Sequence, residues 1–234
     1  MKKVFFATIA YMLFSSSAVA GETFSEESAS WQDSYAKGRN AIDARDYSGA
    51  TKCLEKAKGI AQNFKAGDSR LAATSSELMI IDGKINDRAK FVAHLLEQRD
   101  AYVRAFGANY CQVGMMDAGL ATEYLDLGKP VEAEQHYKAA IAITEQNFGN
   151  ANLKLAEMYH YCGVAQWQMG KPAEALQTIR KEEAVIQKSG AHCDQKLAGN
   201  LMMQANIMES LNKPKEAQSA WGKYYAIMAR IDSQ

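Results

Sequence analysis

Apolar residues recur along most of this chain at the spacing of one face of an α-helix. In one representative pair of segments they are Leu120, Tyr124 and Leu127, followed by Ala133, Tyr137, Ala140 and Ile141. Positions three or four residues apart share a helical face, so each segment has one apolar stripe and one polar side. Such a helix must bury its stripe against another element. The pattern therefore predicts an all-α chain of paired amphipathic helices.

The helix pairs are punctuated by a motif that returns every 42 residues. Its copies are LGKPVEA at 127–133, MGKPAEA at 169–175 and LNKPKEA at 211–217. The three copies contain the only prolines of the chain, Pro130, Pro172 and Pro214. A fixed period of this length is the mark of a repeat architecture, in which each repeat buries its apolar face against its neighbours.

Each copy of the motif has the residues expected at a tight joint between two helices. Gly128 can adopt the left-handed conformation that ends a helix, and Asn212 is the usual substitute at that position. Pro130 fits the first turn of the following helix, where its missing N–H is not needed. Glu132 in that turn complements the helix dipole. The motif thus predicts a helix–turn–helix unit.

A second marker with the same period is Phe64, Phe106 and Phe148, with Gly107 and Gly149 directly after two of them. It extends the repeat towards the start of the chain, where INDRAKF and ARDYSGA occupy the positions of weaker joints. Residues 21–30 are polar and are interpreted as a lead-in. The predicted domain, 31–232, then contains five helix pairs at about 31–65, 68–107, 110–149, 151–190 and 194–232.

These residues resemble the tetratricopeptide repeat (TPR). The similarity lies in G-K-P-x-E-A followed by apolar residues four and seven positions on, as in Ala133-Tyr137-Ala140 and, in the first repeat, Ala50-Leu54-Ala57. The 42-residue period with Phe-Gly after the second helix is similar to the longer repeats of kinesin light chain. The resemblance implies a right-handed α-solenoid of about five repeats.

The chain departs from the family pattern in places. The Leu-Gly pair usual in the first helix appears as Leu120-Ala121, Cys162-Gly163 and Gln204-Ala205, so that only the small second member is kept. Glu182 stands where the family has Ala, which puts the packing of the fourth repeat in doubt. No additional polar helix follows the fifth repeat.

The resemblance also implies that a protein or peptide partner binds in the concave groove lined by the first helix of each repeat. The groove positions of the family correspond, by their place in the repeat, to Met115, Thr122, Leu125, Asp126, Glu157, His160, Val164, Trp167, Gln168, Met202, Asn206 and Glu209. Trp167 is the preferred anchor, because tryptophan is frequent at binding hot spots. The alternative is that Trp167 packs against an adjacent repeat.

The last predicted helix suggests a different interaction. Trp221, Tyr225 and Met228 would leave an apolar end exposed if no further element covers them. The alternative function is therefore a structural envelope protein that self-associates through this end as a homo-oligomer. The opposing interpretation is that these side chains pack within the fifth pair.

The N-terminus has the pattern of a secretory signal peptide. Lys2 and Lys3 precede an apolar run at 4–14, and Ala18-Val19-Ala20 forms an A-x-A cleavage site. A membrane anchor is the alternative, but the apolar run is too short to span a bilayer. We expect cleavage after Ala20 and a periplasmic or secreted bacterial protein, with no integral membrane segment in the mature chain.

Charge and motifs provide no indication of catalysis. The chain has 27 basic and 27 acidic residues, and loss of Lys2 and Lys3 leaves a net charge of −2, which gives no reason to expect a nucleic-acid partner. Catalytic and phosphate-binding motifs are missing. The four histidines, His94, His136, His160 and His192, lack metal-ligand spacing and are interpreted as surface or boundary residues.

The four cysteines contain no C-x-x-C pair, so zinc and thiol-redox sites are not predicted, and no disulfide pairing is assigned. The sequence therefore predicts a non-catalytic protein-interaction scaffold of the bacterial cell envelope, with no cofactor and no metal. An enzyme remains the third and weakest hypothesis.

Overall fold

A computed structural model of the chain describes residues 26–65, 68–189 and 193–232, and these residues form ten helices without a strand. The helices are α1 (Glu26–Asp43), α2 (Tyr47–Ala61), α3 (Ser69–Ile85), α4 (Arg88–Phe106), α5 (Cys111–Asp126), α6 (Pro130–Phe148), α7 (Leu153–Gln168), α8 (Pro172–Lys188), α9 (Asp194–Ser210) and α10 (Pro214–Asp232). The predicted all-α helical-repeat fold is confirmed. The predicted signal peptide and His192 lie outside the described residues.

Consecutive helices pair as five hairpins, and the same turn closes all of them. The turn residues Arg45, Asn86, Gly128, Gly170 and Asn212 have left-handed backbones, with φ between 55° and 71°. In each turn the next amide donates to a carbonyl five residues earlier, at 2.8–3.0 Å; Lys129 N to Tyr124 O is one example. This bond satisfies a carbonyl that the helix end would otherwise leave unpaired.

The start of the second helix in each hairpin is stabilised in two different ways. Pro130, Pro172 and Pro214 are the first residues of α6, α8 and α10. In the earlier hairpins, an aspartate caps the helix instead: Asp46 accepts from Gly49 N, and Asp87 accepts from Lys90 N. A side-chain cap satisfies an unpaired amide of the first turn, so these hairpins form without proline.

The chain divides into two compact units at Ala108. Unit 1 contains the hairpins α1–α2 and α3–α4, and α2 packs against α3. Its core includes Ala50, Leu54, Leu78 and Ile81, each nearly fully buried. Helix α1 begins at Glu26 rather than near residue 31, so the segment interpreted as a lead-in contributes its first turn. Glu26 and Glu27 there complement the positive end of the helix dipole.

Unit 2 contains the hairpins α5–α6, α7–α8 and α9–α10. Helix α6 packs on α7, and α8 packs on α9, so each hairpin covers the apolar face of the next. The small residues Ala121, Gly163 and Ala205 are buried, as close helix packing requires. We call α1, α3, α5, α7 and α9 the first helices and their partners the second helices.

Candidate functional site

The residues predicted to line a groove lie on α5, α7 and α9, the first helices of unit 2. All of them keep part of their surface accessible. Thr122, Asp126, Trp167, Gln168, Met202 and Glu209 are exposed, and Met115, Leu125, Glu157, His160, Val164 and Asn206 are half-buried. We call these residues, together with Tyr161, the first-helix face.

Three large apolar or aromatic side chains stand out on the first-helix face. Trp167 is 37% exposed, Tyr161 is 40% exposed and Met202 is 41% exposed. Tyr161 was not among the predicted groove residues, although it lies four residues after Glu157 and three before Val164. That spacing places it on the same helical face, and would have been enough to find it.

Tyr161 links two helices of this face through a buried neighbour. Its ring stacks on Tyr137 with 6.2 Å between the ring centroids, and the Tyr137 hydroxyl lies 2.9 Å from Thr122 Oγ1. Burial raises the pKa of Tyr137, so this phenol stays protonated and available for hydrogen bonding. Burial, followed by the nearby Glu157 and Asp126 carboxylates, also raises the pKa of Tyr161. This part of the face is therefore aromatic and acidic.

His160 connects the face to the interior of unit 2. Its Nδ1 lies 3.1 Å from Glu182 Oε2 on α8, and Asn200 Nδ2 on α9 donates to the same oxygen at 3.0 Å. Asn200 Nδ2 also donates to Ile179 O, and Gln204 Nε2 donates to Asn200 Oδ1. Glu182 is 5% exposed and hydrogen-bonded. The fourth repeat therefore accommodates Glu182 through hydrogen bonds, where the family has a small side chain.

Two other histidines form comparable pairs. His94 Nδ1 lies 2.6 Å from Asp82 Oδ2, and His136 Nδ1 lies 2.8 Å from Asp117 Oδ1. His94 is only 7% exposed, so its interpretation as a surface or boundary residue is wrong. The carboxylates beside His94 come from Asp82 on α3 and Glu55 on α2. Sequence spacing does not reveal these tertiary contacts. Burial raises the pKa of Asp82, with His94 acting in the opposite direction.

The residues predicted for self-association differ in accessibility. Tyr225 is 63% exposed, whereas Trp221 and Met228 are half-buried. Trp221 Nε1 donates to Glu209 Oε1 at 2.8 Å and its ring lies 6.0 Å from that of Tyr225. Met228 packs against the small apolar cluster formed by Ala198, Leu201 and Ile227. Contacts within the fifth hairpin therefore partly bury Trp221 and Met228, whereas Tyr225 stays exposed.

An open cleft of about 500 Å³ lies between α8, α9 and α10. Leu201 and Met208 contribute apolar surface to it, and Arg180, Glu183 and Lys223 contribute charges of both signs. None of the predicted groove residues lines it. The cleft is thus separate from the first-helix face.

Cys53, Cys111, Cys162 and Cys193 are all free thiols in the structure. Across residues 26–65, 68–189 and 193–232, His, Cys, Asp and Glu side chains do not gather into any group of three or more that could hold a metal ion. No helix in the described part of the chain combines the length and apolar character needed to cross a lipid bilayer.

One family model matches part of the chain. Residues 100–188 match the family model described as tetratricopeptide repeat. This segment includes the α5–α6 and α7–α8 hairpins and the first two copies of the proline-containing motif. No curated protein sequence matches the chain at a significant level.

Several solved structures share the fold. BtubC (BKLC) from P. vanneervenii has a TM-score of 0.67 at 15% identity, over 92% of this chain and 94% of that one. Nearly identical TPR-like repeats, assigned to a kinesin light chain of Podosopora anserina, have a TM-score of 0.64 at 16% identity, over 87% and 97% of the two chains. The MamA protein has a TM-score of 0.60 at 14% identity, over 87% and 94%. The predicted resemblance to TPR and kinesin light chain repeats is confirmed at the level of fold.

Proposed function

We propose that this chain, a protein built from tetratricopeptide repeats, is a non-catalytic scaffold that binds a protein or peptide segment in a concave groove formed by the first helices of unit 2. The observation that carries the proposal is the exposure of Tyr161, Trp167 and Met202 on α7 and α9. Large apolar side chains that remain accessible on regular helices, among polar neighbours, are typical of interaction surfaces.

The physical mechanism of such binding is the burial of a few anchors on a preorganised surface. Helices fix the backbone of Trp167 and Tyr161, so little conformational entropy remains to be lost when a partner covers them. Tyr161 is held further by its stacking on Tyr137. Met202 adds a flexible apolar side chain, which adapts to partners of different shape.

The polar groups near this face support a binding role rather than catalysis. His160, the histidine of the face, is directed to Glu182, and Asn200 holds that carboxylate from a third helix. Such an arrangement orders helices against one another. It offers no nucleophile beside a base, which acyl or phosphoryl transfer would require.

We also propose that the protein is exported to the bacterial envelope. The support is the N-terminal pattern of two lysines, an apolar run and an A-x-A site at 18–20. N-terminal sequencing of the protein from a periplasmic fraction tests this directly. A mature N-terminus at Gly21 is expected, and retention of Met1 in the cytoplasm would contradict export.

The binding proposal is tested by capturing partners from envelope extract on immobilised purified protein. Wild type is compared with Trp167→Ala and with Phe148→Ala, which removes an aromatic residue that is 59% exposed at the end of a second helix. A protein retained by wild type and Phe148→Ala, but lost from Trp167→Ala, is the expected result. Circular dichroism establishes that the helical content of the three proteins is equal.

The same experiment can overturn the proposal. If Trp167→Ala has native helicity and retains every partner at unchanged affinity, the tryptophan is not an anchor and the groove is not the binding site. Isothermal titration calorimetry with the captured partner supplies the affinity for this comparison.

Self-association through the end of α10 is a second candidate function. It is favoured by the 63% exposure of Tyr225 beside the half-buried Trp221. Sedimentation velocity over a range of concentrations should then show a mass that rises with concentration in wild type and stays monomeric in Tyr225→Ser. Val131→Ser, at a position 52% exposed on α6, is the control that should behave as wild type.

A further inference from the structure

We infer that the segment bound by the first-helix face is cationic, with lysine or arginine side chains placed beside apolar ones. This inference rests on the proposed binding function and specifies the chemistry of the partner. It follows from how charge is distributed between the first and second helices of unit 2.

The first helices of unit 2 are acidic, whereas the second helices are nearly neutral. Helices α5, α7 and α9 contain only two basic residues, Lys154 and Lys196, against six acidic ones: Asp117, Glu123, Asp126, Glu157, Asp194 and Glu209. Helices α6, α8 and α10 together contain eight acidic and seven basic residues. Asp117 and Glu123 are buried, and Asp194 pairs with Arg230. Asp126 and Glu209 are exposed and Glu157 is half-buried, so these three carboxylates are the accessible ones of the first-helix face.

The negative charge is concentrated towards one end of these helices. Asp126 and Glu209 belong to the last turns of α5 and α9, and the last turns of α5, α7 and α9 contain no basic residue. A helix C-terminus has a partial negative charge, which lysine or arginine in the last turn usually offsets. Lys154 and Lys196 lie in the first turns, at the opposite end. The last turns of the first helices therefore contribute negative charge and no basic residue of their own.

Two of the three hairpin-turn lysines pair with carboxylates of second helices. Lys171 Nζ lies 3.5 Å from Glu134 Oε2, and Lys213 Nζ lies 3.1 Å from Glu216 Oε1. Both carboxylates belong to second helices. Lys129 Nζ lies 5.9 Å from the centre of the Tyr124 ring, which stacks on His136 of α6. Lys171 and Lys213 are thus engaged by second helices, whereas Lys129 lies beside the first helix α5.

Apolar and aromatic surface accompanies the acidic groups. Trp167 lies near the end of α7, at the position equivalent by the repeat to Leu125 on α5 and Glu209 on α9. The face of an indole ring attracts ammonium and guanidinium groups. Glu209 accepts one hydrogen bond from Trp221 Nε1, and a carboxylate has capacity for more. Lysine and arginine also cover apolar surface with their methylene groups, so they suit this mixture.

The accessible carboxylates also disfavour one class of partner. An acidic segment on this face would be repelled by the like charges of Asp126, Glu157 and Glu209. We therefore do not expect acidic partners.

A phage-displayed random peptide library selected on the purified protein provides the test. Selected peptides are synthesised with a fluorescein label, and their affinities are measured by anisotropy. Peptides that lose affinity for Trp167→Ala are assigned to the first-helix face. These peptides should have a net positive charge, and their binding should weaken as salt is added. A set of face-binding peptides that is acidic or neutral overturns the inference while leaving the proposed groove intact.

A charge-neutralised variant separates this inference from the proposed function. Asp126→Asn, Glu157→Gln and Glu209→Gln are combined in one protein, which keeps the size of each side chain. Affinity for the selected peptides should fall by about tenfold, the scale expected from three partly exposed charge contacts. The control combines Glu132→Gln, Glu174→Gln and Asp232→Asn on the second helices, and should bind as wild type.

The outcomes are distinguishable. If Trp167→Ala weakens binding but the charge-neutralised variant does not, the cationic partner is wrong and the groove stands. If no selected peptide responds to Trp167→Ala, the proposed binding function itself fails. Equal weakening by the two charge variants would show a non-specific effect of net charge and also overturn the inference.

Discussion

Glu182 on α8 and His160 on α7 meet with Oε2 and Nδ1 3.1 Å apart, although Glu182 is buried and His160 is half-buried on the first-helix face. Asn200 of α9 donates to the same carboxylate oxygen at 3.0 Å. One acidic side chain therefore joins three helices that belong to two successive hairpins. Its carboxylate connects the exposed face to the fully buried Asn200.

Replacing Glu182 with leucine should destabilise the protein by about 1–3 kcal/mol, because His160 and the buried Asn200 would lose their shared acceptor. The free energy of unfolding is measured by urea denaturation followed by circular dichroism. Gln177→Leu, at an exposed position of the same helix, is the control and should change it by less than about 0.5 kcal/mol. Equal stability of the two variants would show that the network contributes little.

Two adjacent serines of α3 should respond to alanine with opposite signs. Ser75 Oγ is buried and has no hydrogen-bond partner within the described residues, so Ser75→Ala removes an unsatisfied polar group and should stabilise unit 1 by about 1 kcal/mol. Ser76 Oγ accepts from Gln98 Nε2 at 2.6 Å and donates to Ala72 O. Ser76→Ala should therefore be destabilising by about 1 kcal/mol. Thermal unfolding of both variants gives the comparison, and a stabilising Ser76→Ala would contradict it.

Gly163 allows α7 to approach α8 closely. A Cβ at this position would lie 2.6 Å from Ile179 Cδ1, and Ile179 is completely buried. Gly163→Ala should destabilise the protein by about 1–3 kcal/mol despite the better helix propensity of alanine. A methyl group added at Gly199 would meet no heavy atom within 4 Å among the described residues, so Gly199→Ala should stabilise by up to about 1 kcal/mol. Thermal unfolding of the two variants checks both signs.

A compensating change tests the steric explanation for Gly163. Ile179→Val removes the atom closest to the added methyl group, so it should cost less stability in the Gly163→Ala background than in wild type. A double-mutant cycle with equal costs in both backgrounds would show that the clash is not the cause.

Glu134 should make stability dependent on pH. Burial alone would raise the pKa of this carboxyl, but hydrogen bonds from Lys138 and Gln166, with Lys171 nearby, lower it below its usual range. Its contribution is therefore present above the pKa of an unfolded glutamate, about 4.3, and is lost as the pH falls through the lower folded-state value. Glu134→Gln should be about 1–3 kcal/mol less stable than wild type at pH 7. This difference in the free energy of unfolding should shrink at acidic pH, where the wild-type carboxylate becomes protonated.

The control for Glu134 is Glu132→Gln on the same helix, which removes a carboxylate but leaves the contacts of Glu134 with Lys138 and Gln166 in place. Urea denaturation at several pH values supplies the data. A difference between wild type and Glu134→Gln that stays constant down to acidic pH would show that the charge of this carboxylate does not stabilise the fold.

The four thiols should differ in reactivity. Burial raises the pKa of Cys162 to about 11, and this side chain is only 1% exposed. Cys53, Cys111 and Cys193 are half-buried. Ellman's reagent should modify these three first and Cys162 only after unfolding, because reaction requires an accessible thiolate. Cys162→Ala should remove the slow phase alone; uniform reaction of all four would contradict the burial.

The repeat was visible in the sequence because local chemistry produces it. Gly128, Pro130 and Asn212 have conformational preferences that act within a few residues, so the hairpins of unit 2 could be predicted from them. The earlier turns were less clear because Arg45 and Asp46 perform the same task with ordinary residues. A left-handed arginine has no reliable sequence signal.

The polar interior was not predictable in the same way. The pairing of Glu182 with His160 and of Asp82 with His94 depends on which helices become neighbours and at what depth. Sequence spacing placed His160 on a first helix, but contained no sign of its partner 22 residues away. The residues of the first-helix face are exposed or half-buried, and the use of this face as a binding groove stays a prediction.

The turn that closes every hairpin has a consequence for how the chain folds. Its hydrogen bond joins an amide and a carbonyl only five residues apart, and the two helices it connects are consecutive in sequence. Domains dominated by such local contacts have low contact order and reach their native state quickly, because little loop-closure entropy is lost before contacts form. The contacts within each hairpin can therefore form early, before the hairpin buries its remaining apolar face against a neighbour.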